Sequence, residues 1–263
     1  MTPSGAESSP IELFVENGVG RLTLAAPATR NAIDLHMAES LREAVTELLG
    51  AKQLRVLRLA ALGPAFCVGG SLREFAAARD RPAHVAHVAE TMHEALSLLQ
   101  SLTVPIVSVV HGAVAGAGLA LALAADIVMA GRGATFRSAY TAAGLSPDCG
   151  VALHLAKLGA ARAMDLGLTN RALTADQAEA WGLVSRVVDD GSLQDEAEQV
   201  VELLARGAGD ALASTKRLIR SAQVLDWGPQ LELEAASIAA LAGTADGREG
   251  VDAFLQKRRP KFR

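Results

Sequence analysis

The stretch from residue 104 to residue 126, VPIVSVVHGAVAGAGLALALAAD, constrains the fold more than any other part of the chain. Its β-branched run, Ile106 to Val110, lies between Pro105 and Gly112, which is typical of a strand buried on both faces. A glycine-rich turn follows, and the run from Leu119 to Ala125 then favours a helix. Such a turn presents free backbone N–H groups at the helix N-terminus, and these bind a phosphate or an oxyanion.

The spacing of the glycines argues against one kind of anion site. In a G-x-G-x-x-G fingerprint that begins at Gly116, the third glycine would fall at position 121, which is Leu121. The stretch therefore predicts an anion site but not a dinucleotide site, and by itself it leaves the anion open.

The composition excludes several classes of protein. The 263 residues carry a formal net charge of −4 and only 3% aromatic side chains, so we expect no nucleic-acid partner. No apolar run of transmembrane length is free of polar residues or glycine, and MTPSGAESSP at the start lacks the charged and apolar regions of a signal peptide. We expect a disordered segment at residues 1–10 and a cytoplasmic protein without a membrane partner. Two cysteines, Cys67 and Cys149, fit a reducing compartment.

The first part of the chain alternates strands and helices. Strands on either side of Asn17 and Gly18 predict a β-hairpin with a type I′ turn. Asp34 is expected to cap the helix that follows the hairpin. Residues 73–102 have helical periodicity, which Pro82 interrupts.

The later part of the chain becomes purely helical. A strand is predicted at residues 127–130, with residues 134–136 as its continuation. After the last predicted strand only helical patterns remain. The prediction is an α/β core over residues 11–190 and a helical C-terminal region over residues 191–263.

Six motifs, spread in order from about residue 11 to residue 262, resemble those of the crotonase superfamily, the enoyl-CoA hydratase/isomerase group. They are PATRNAI (27–33), GPAFCVGGSL (63–72), VPIVSVVHGAVAGAG (104–118), AAGLSPDCG (142–150), LTNRALTADQAEAWGLVSRVV (168–188) and GREGVDAFLQKRRPKF (247–262). One match would be weak, whereas six in the same order are highly specific. The resemblance implies a crotonase (ClpP-like) fold, which is a spiral of repeated β-β-α units with a helical trimerisation region. It also implies a homotrimer or homohexamer.

The resemblance further implies an acyl-CoA thioester as substrate, with no cofactor besides the coenzyme A that is part of it. The family holds the thioester oxygen with two backbone N–H groups, which correspond here to those of Gly70 and Ala117. Physical reasoning agrees, because one backbone donor on a developing oxyanion contributes roughly 3–4 kcal/mol. Such donors need only a small side chain and a fixed loop, and both residues provide these.

The positions at which the sequence differs from the family pattern indicate which reaction to expect. Hydratases of the family carry two glutamates that activate water, and the matching positions are Ala120 and Tyr140. Without that pair we expect no hydration. Asp148 resembles the acidic residue that certain isomerases of the family place opposite the α-carbon. One carboxylate suffices to move a proton between C2 and C4, so we expect isomerisation of an enoyl-CoA double bond, as in fatty acid metabolism.

Three other interpretations of Asp148 stay open. A related position is the nucleophile of aromatic-thioester dehalogenases, which suggests an acyl- or aryl-CoA hydrolase or dehalogenase. Asp148 also precedes a helix predicted from Val151 and would be suited to cap it. Finally, the protein would need no catalytic carboxylate if it were a non-catalytic paralogue that only binds coenzyme A thioesters.

The remaining predictions concern binding. The resemblance implies that Arg30 lines the coenzyme A entrance and that Lys257 contacts its phosphates, in some relatives from a neighbouring subunit. Further residues expected at the substrate are Val68, Ser71, Leu72 and Tyr140. The histidines at 84, 87 and 93 match no metal-ligand pattern, so we expect an exposed helical face and no metal site. The two cysteines are expected to be small packing residues.

Overall fold

The computed structural model of the protein describes residues 9–263. The predicted disordered segment at residues 1–10 therefore lies outside the described residues, except for Ser9 and Pro10.

A six-stranded sheet organises the α/β part. In spatial order its strands are β1 (Ile11–Glu16), β2 (Val19–Leu24), β3 (Val56–Ala61), β4 (Ile106–Val110), β6 (Ile127–Gly131) and β9 (Arg186–Val188). The strands β1 and β2 form the predicted hairpin, and Asn17 and Gly18 both have positive φ, as a type I′ turn requires. The other neighbouring pairs are parallel.

A second sheet of three short strands lies between the parallel strands in sequence. It contains β5 (Ala113–Ala115), β7 (Thr135–Arg137) and β8 (Leu173–Thr174), with β7 in the middle. The prediction that residues 134–136 continue β6 is therefore wrong. The Ala134 N–H donates a hydrogen bond to Gly131 O at 2.9 Å and closes a turn. This turn takes the chain out of the first sheet.

Eleven α-helices are present in residues 9–263. They are α1 (Leu35–Gly50), α2 (Leu72–Ala77), α3 (Arg81–Ser101), α4 (Ala117–Leu123), α5 (Val151–Ala156), α6 (Ala160–Thr169), α7 (Ala175–Ala180), α8 (Leu193–Ala205), α9 (Gly209–Ser221), α10 (Trp227–Ala242) and α11 (Ala245–Leu255). None of these helices is long and apolar enough to cross a membrane. The predicted cap of α1 is confirmed, because the Asp34 carboxylate accepts a hydrogen bond from Met37 N at 2.8 Å.

Pro82 lies in the first turn of α3 and does not interrupt a helix. The helix α2 ends at Ala77, and Asp80 caps α3 by accepting a hydrogen bond from Ala83 N at 3.1 Å. Proline is tolerated in the first helical turn because the N–H that it lacks would have no intrahelical acceptor there.

Both faces of the central sheet are buried, as the apolar run of β4 predicts. Ile106 and Val110 belong to the larger core, which also contains apolar residues of α1 and α3. Val107 and Val109 belong to a second core on the other face, formed with residues of α8. Alternating side chains of one strand therefore join two cores, which fixes the position of the strand end that leads into the functional site.

The last three helices expose several large apolar side chains. Trp227 is 81% exposed, Phe254 83% and Leu255 73%. Contiguous exposed apolar surface is typical of an interaction site. The oligomerisation of residues 191–263 stays a prediction, and these side chains are what such an interface would bury.

Asn31 connects two loops, its own after β2 and the loop after β3. It is completely buried. Its Oδ1 accepts a hydrogen bond from Ala26 N at 2.9 Å, and its Nδ2 donates to Leu62 O at 2.9 Å and to Ala65 O at 3.0 Å. Its φ of 56° is left-handed, a conformation that asparagine adopts more readily than most residues.

We predict that Asn31→Ala lowers the free energy of unfolding by roughly 3 kcal/mol, because one buried and two partly buried backbone groups lose their partner. Urea denaturation at matched protein concentration measures the change. The control is Thr29→Ala in the same loop, where the side chain is exposed and the expected change is within about 0.5 kcal/mol. Equal stability of the two variants would contradict the assigned role of Asn31.

Candidate active site

Two loops at the carboxyl ends of β3 and β4 run side by side. Cys67 N donates a hydrogen bond to Ala113 O at 3.3 Å, and Ala115 N donates to Cys67 O at 3.0 Å. The loops then touch at Gly69 and Gly116. A Cβ on Gly69 would lie 3.0 Å from Ala115 O and 3.3 Å from Gly116 Cα. Both glycines also have positive φ, +94° and +54°, so no other residue type fits this contact without strain.

The contact brings two free backbone donors to one cavity. Within residues 9–263, neither Gly70 N nor Ala117 N has a hydrogen-bond acceptor, although the neighbouring Gly69 N and Ser71 N are both used. Ala117 is the first residue of α4, where an N–H has no intrahelical partner. Gly70 and Ala117 both line the cavity.

The cavity has a volume of about 430 Å³ and a mostly apolar wall. Its lining comes from the two loops, from α2 and α3, and from the segment between residues 139 and 149. Apolar lining side chains include Val68, Leu72, Phe75, Val85, Met92 and Leu145. A volume in this range is typical of small-molecule sites.

Asp148 provides the only carboxylate in the lining, among the described residues. Its Oδ1 lies 2.7 Å from His93 Nε2, and its Oδ2 accepts a weak hydrogen bond from Cys149 Sγ at 3.5 Å. Its backbone oxygen accepts a hydrogen bond from the Tyr140 hydroxyl at 3.2 Å. The interpretation of Asp148 as a helix cap is wrong, because α5 begins after Gly150 and has no side-chain cap.

The backbone on this side of the cavity is held in unusual conformations. Ala139 and Cys149 line the cavity with φ of 67° and 54°, values that are uncommon outside glycine. Gly150, next to Cys149, has φ of 81°. Such conformations persist only where the surroundings fix them, and they cluster at functional sites.

Burial keeps the groups beside Asp148 neutral. Desolvation raises the pKa of the Tyr140 hydroxyl well above its usual value, with further contributions from Cys149 and Asp148. Desolvation, followed by the Asp148 carboxylate, likewise raises the pKa of the Cys149 thiol. At neutral pH both groups therefore act as hydrogen-bond donors toward Asp148.

His93 is a partner of Asp148 that the sequence interpretation missed. It lies on α3, which also lines the cavity, and its side chain is 51% exposed. The other two histidines of α3 differ from it: His84 lies 3.1 Å from the Glu74 carboxylate, and His87 is exposed. His93 Nε2, an Asp148 oxygen and Cys149 Sγ all lie within 4.8 Å of one another.

The structure brings most predicted site residues together, but not all. Those that line the cavity are Val68, Gly70, Leu72, Ala117, Tyr140 and Asp148. Ser71 lies outside the lining, where its Oγ caps α2 by accepting a hydrogen bond from Glu74 N at 3.4 Å. Arg30 and Lys257 are exposed, with φ of 55° and 54°, and neither lines the cavity within this chain.

The largely parallel sheet and the two glycine loops that meet at one cavity agree with the family resemblance of the sequence motifs. The chain belongs to the enoyl-CoA hydratase/isomerase family, whose model matches residues 15–263. The predicted crotonase fold is confirmed by solved structures. An enoyl-CoA hydratase from Polaromonas sp. JS666 superposes with a TM-score of 0.91 at 33% identity, over 96% of this chain and 99% of the other.

Two curated relatives carry isomerase names. The 1,2-epoxyphenylacetyl-CoA isomerase of Escherichia coli K12 is 39% identical over 252 residues, which cover 94% of this chain and 96% of the relative. The trans-2-decenoyl-[acyl-carrier-protein] isomerase of Streptococcus mutans is 33% identical and covers 94% of this chain and 95% of the relative. These relatives act on thioesters with different acyl groups and different carriers.

We predict that the stability of the protein depends on pH through the buried thiol of Cys67. Burial raises the pKa of the Cys67 thiol from 9.0 to about 12. Above about pH 9.0 the Cys67 thiol keeps its proton in the folded state but loses it in the unfolded state. The free energy of unfolding should therefore fall by about 1.4 kcal/mol per pH unit until the folded thiol ionises.

The measurement is urea denaturation at about pH 8 and about pH 10, for wild type and Cys67→Ala. Because Cys149 and Tyr140 have pKa values raised in the same direction, only the difference between the two proteins reports on Cys67. Identical pH dependence in both proteins would contradict the prediction.

Proposed function

We propose that the protein isomerises an enoyl thioester of coenzyme A through a dienolate intermediate, with Asp148 moving the proton. The observation that carries the proposal is the arrangement around one cavity of two unpartnered backbone N–H groups and a single carboxylate. The family relationship and the isomerase names of the two curated relatives also support it.

The backbone donors would act on the thioester oxygen. When a proton leaves C2 of a 3-enoyl thioester, negative charge develops on that oxygen and is shared along the dienolate to C4. The N–H groups of Gly70 and Ala117 would hold this charge, and each such donor contributes roughly 3–4 kcal/mol. The backbone contact between the two loops fixes both donors before the reaction, so they need no reorganisation.

Asp148 would take the proton from C2 and return it to C4, which moves the double bond from position 3 to position 2. His93 would position the carboxylate, since the 2.7 Å contact occupies Oδ1 and leaves Oδ2 with only the weak thiol donor. The positions of the two hydratase glutamates hold Ala120, which is buried, and Tyr140. A pair of carboxylates that could activate water is therefore missing from the lining formed by the described residues.

The substrate would combine an apolar acyl chain with a coenzyme A carrier. The lining of α2 and α3 is apolar and suits an acyl chain. Arg30 and Lys257 would bind the coenzyme A phosphates, with Lys257 supplied by a neighbouring subunit of a homotrimer or homohexamer. Such an enzyme would serve fatty acid metabolism in the cytoplasm.

We predict that Asp148→Asn lowers kcat for a 3-enoyl-CoA by about 10²–10⁴-fold, because the amide cannot accept the proton. Affinity for acetoacetyl-CoA should stay within about threefold, since the backbone donors are unchanged. The control is Asp195→Asn on the exposed surface of α8. Activity of Asp148→Asn within a few fold of wild type would exclude the proposed proton transfer.

A second candidate function is favoured by one specific observation, the contact between His93 and Asp148. In a hydrolase, Asp148 would attack the thioester carbonyl, expel the coenzyme A thiolate and form an anhydride; in a dehalogenase, it would displace halide from the aryl ring and form an aryl ester. A base such as His93 would then activate water, which cleaves the adduct and regenerates the Asp148 carboxylate. The aromatic-poor cavity, in which Phe75 and Tyr140 are the aromatic lining residues, counts against aryl substrates.

We expect no covalent adduct on Asp148 if the protein is an isomerase. The experiment is acid quenching during turnover of enoyl- and aryl-CoA thioesters, followed by mass spectrometry of the peptide that contains Asp148. His93→Gln is tested in parallel, because it would slow breakdown of such an adduct and let it accumulate. An adduct in either protein favours the second candidate, whereas tight binding without any turnover would indicate a non-catalytic binding protein.

A further inference from the structure

We propose that His93, Asp148 and Cys149 form a binding site for zinc, and that bound zinc reversibly inhibits the enzyme. The three side chains come from two separate parts of the chain, α3 and the loop before α5. Their ligand atoms, one nitrogen, one oxygen and one sulfur, all lie within 4.8 Å of one another.

The distances suit a tetrahedral metal. Zinc binds nitrogen and oxygen at about 2.0–2.2 Å and sulfur at about 2.3 Å, so its neighbouring ligand atoms lie roughly 3.3–3.6 Å apart. Here Cys149 Sγ lies 3.5 Å from Asp148 Oδ2, and His93 Nε2 lies 2.7 Å from Asp148 Oδ1. The two contacts involve different oxygens of the Asp148 carboxylate, so the side chains would shift to place one oxygen, the nitrogen and the sulfur on one face of a tetrahedron.

The ligand types select the metal. Imidazole, carboxylate and thiolate together are typical of zinc, whereas magnesium and calcium prefer oxygen ligands alone. With His93 neutral, binding replaces the proton of the Cys149 thiol by the metal and releases that proton to solvent. The cation would then lie between two anionic ligands, the thiolate and the Asp148 carboxylate.

The backbone holds these ligands in place, and solvent reaches them. Cys149 and Gly150 both have left-handed φ, and the Tyr140 hydroxyl donates to the backbone oxygen of Asp148. The loop that carries two of the three ligands is thus fixed from both sides. His93 is half exposed, so a metal ion can reach it from solvent. The fourth coordination position of the ion would stay open and face the cavity.

Zinc at this site would occupy the groups that handle the proton. A carboxylate bound to zinc is a weaker base, and His93 could no longer position it. The inhibition rests on the proposed function, whereas the binding of the metal does not. The two parts are therefore tested by separate measurements.

The binding test uses cobalt(II) as a spectroscopic substitute for zinc, followed by zinc competition against a chromogenic chelator. Wild type should show sulfur-to-cobalt charge-transfer absorption and the intense visible bands of a four-coordinate ion. Cys149→Ser should lose the charge-transfer band. His93→Gln should weaken zinc binding at least as much as the roughly 10–100-fold loss seen when a residue behind a metal ligand is removed.

The matched control is His87→Gln, because His87 is an exposed histidine of the same helix outside the cluster. Its cobalt spectrum and zinc affinity should equal those of wild type. A wild-type spectrum without the thiolate band, or zinc affinity that is unchanged in both His93→Gln and Cys149→Ser, would overturn the site.

The activity test measures turnover of a 3-enoyl-CoA with and without zinc. Zinc should inhibit wild type and His87→Gln, a chelator should restore activity, and Cys149→Ser should need more than tenfold more zinc for the same inhibition. Binding through Cys149 without turnover by any variant would reject the proposed function and leave the metal site standing. Turnover that is insensitive to zinc at saturation would reject the inhibition.

Discussion

The contact between the backbones of Gly69 and Gly116 is the constraint on which the functional site depends. Parallel strands end at the same edge of a sheet, so the loops that follow β3 and β4 emerge together. A Cβ on Gly69 would lie only 3.0 Å from Ala115 O and 3.3 Å from Gly116 Cα, whereas Gly116 is constrained by its positive φ of 54°. The next residue of each loop, Gly70 or Ala117, then directs its free N–H group into the same cavity.

Asn31 and Gly118 support this contact from outside. The buried amide of Asn31 fixes the segment that leads to Ile33, which in turn exchanges backbone hydrogen bonds with Gly69 and Ser71. A Cβ on Gly118 would lie 2.5 Å from Cys67 O, so α4 begins directly against the first loop. The two free N–H groups are thus held by backbone packing on both sides, which needs small residues and not particular functional groups.

The sequence predicted the parts of the site that depend on local geometry. Strand, glycine turn and helix follow one another within a few residues, and this order predicts a helix N-terminus directly after the turn. The helix α4 begins at Ala117, two residues before the predicted start at Leu119. The pairing of His93 with Asp148 depends instead on how α3 packs against a loop 55 residues away, and no periodicity reports that distance. The wrong assignment of residues 134–136 to the first sheet has the same cause, because the apolar pattern predicts a strand but not the sheet that the strand joins.

A division between backbone and side chains follows from this construction. In the proposed function the backbone of Gly70 and Ala117 would supply the oxyanion donors, whatever side chains line the rest of the cavity. In the proposed function the proton chemistry would come from side chains on other elements, namely His93 on α3 and Asp148 in the loop before α5. A few substitutions on those elements can therefore change the reaction while the fold and the oxyanion site stay the same. In the proposed function Asp148 with His93 is one such set of side chains, and its chemistry would be separable from the loops that would hold the thioester oxygen.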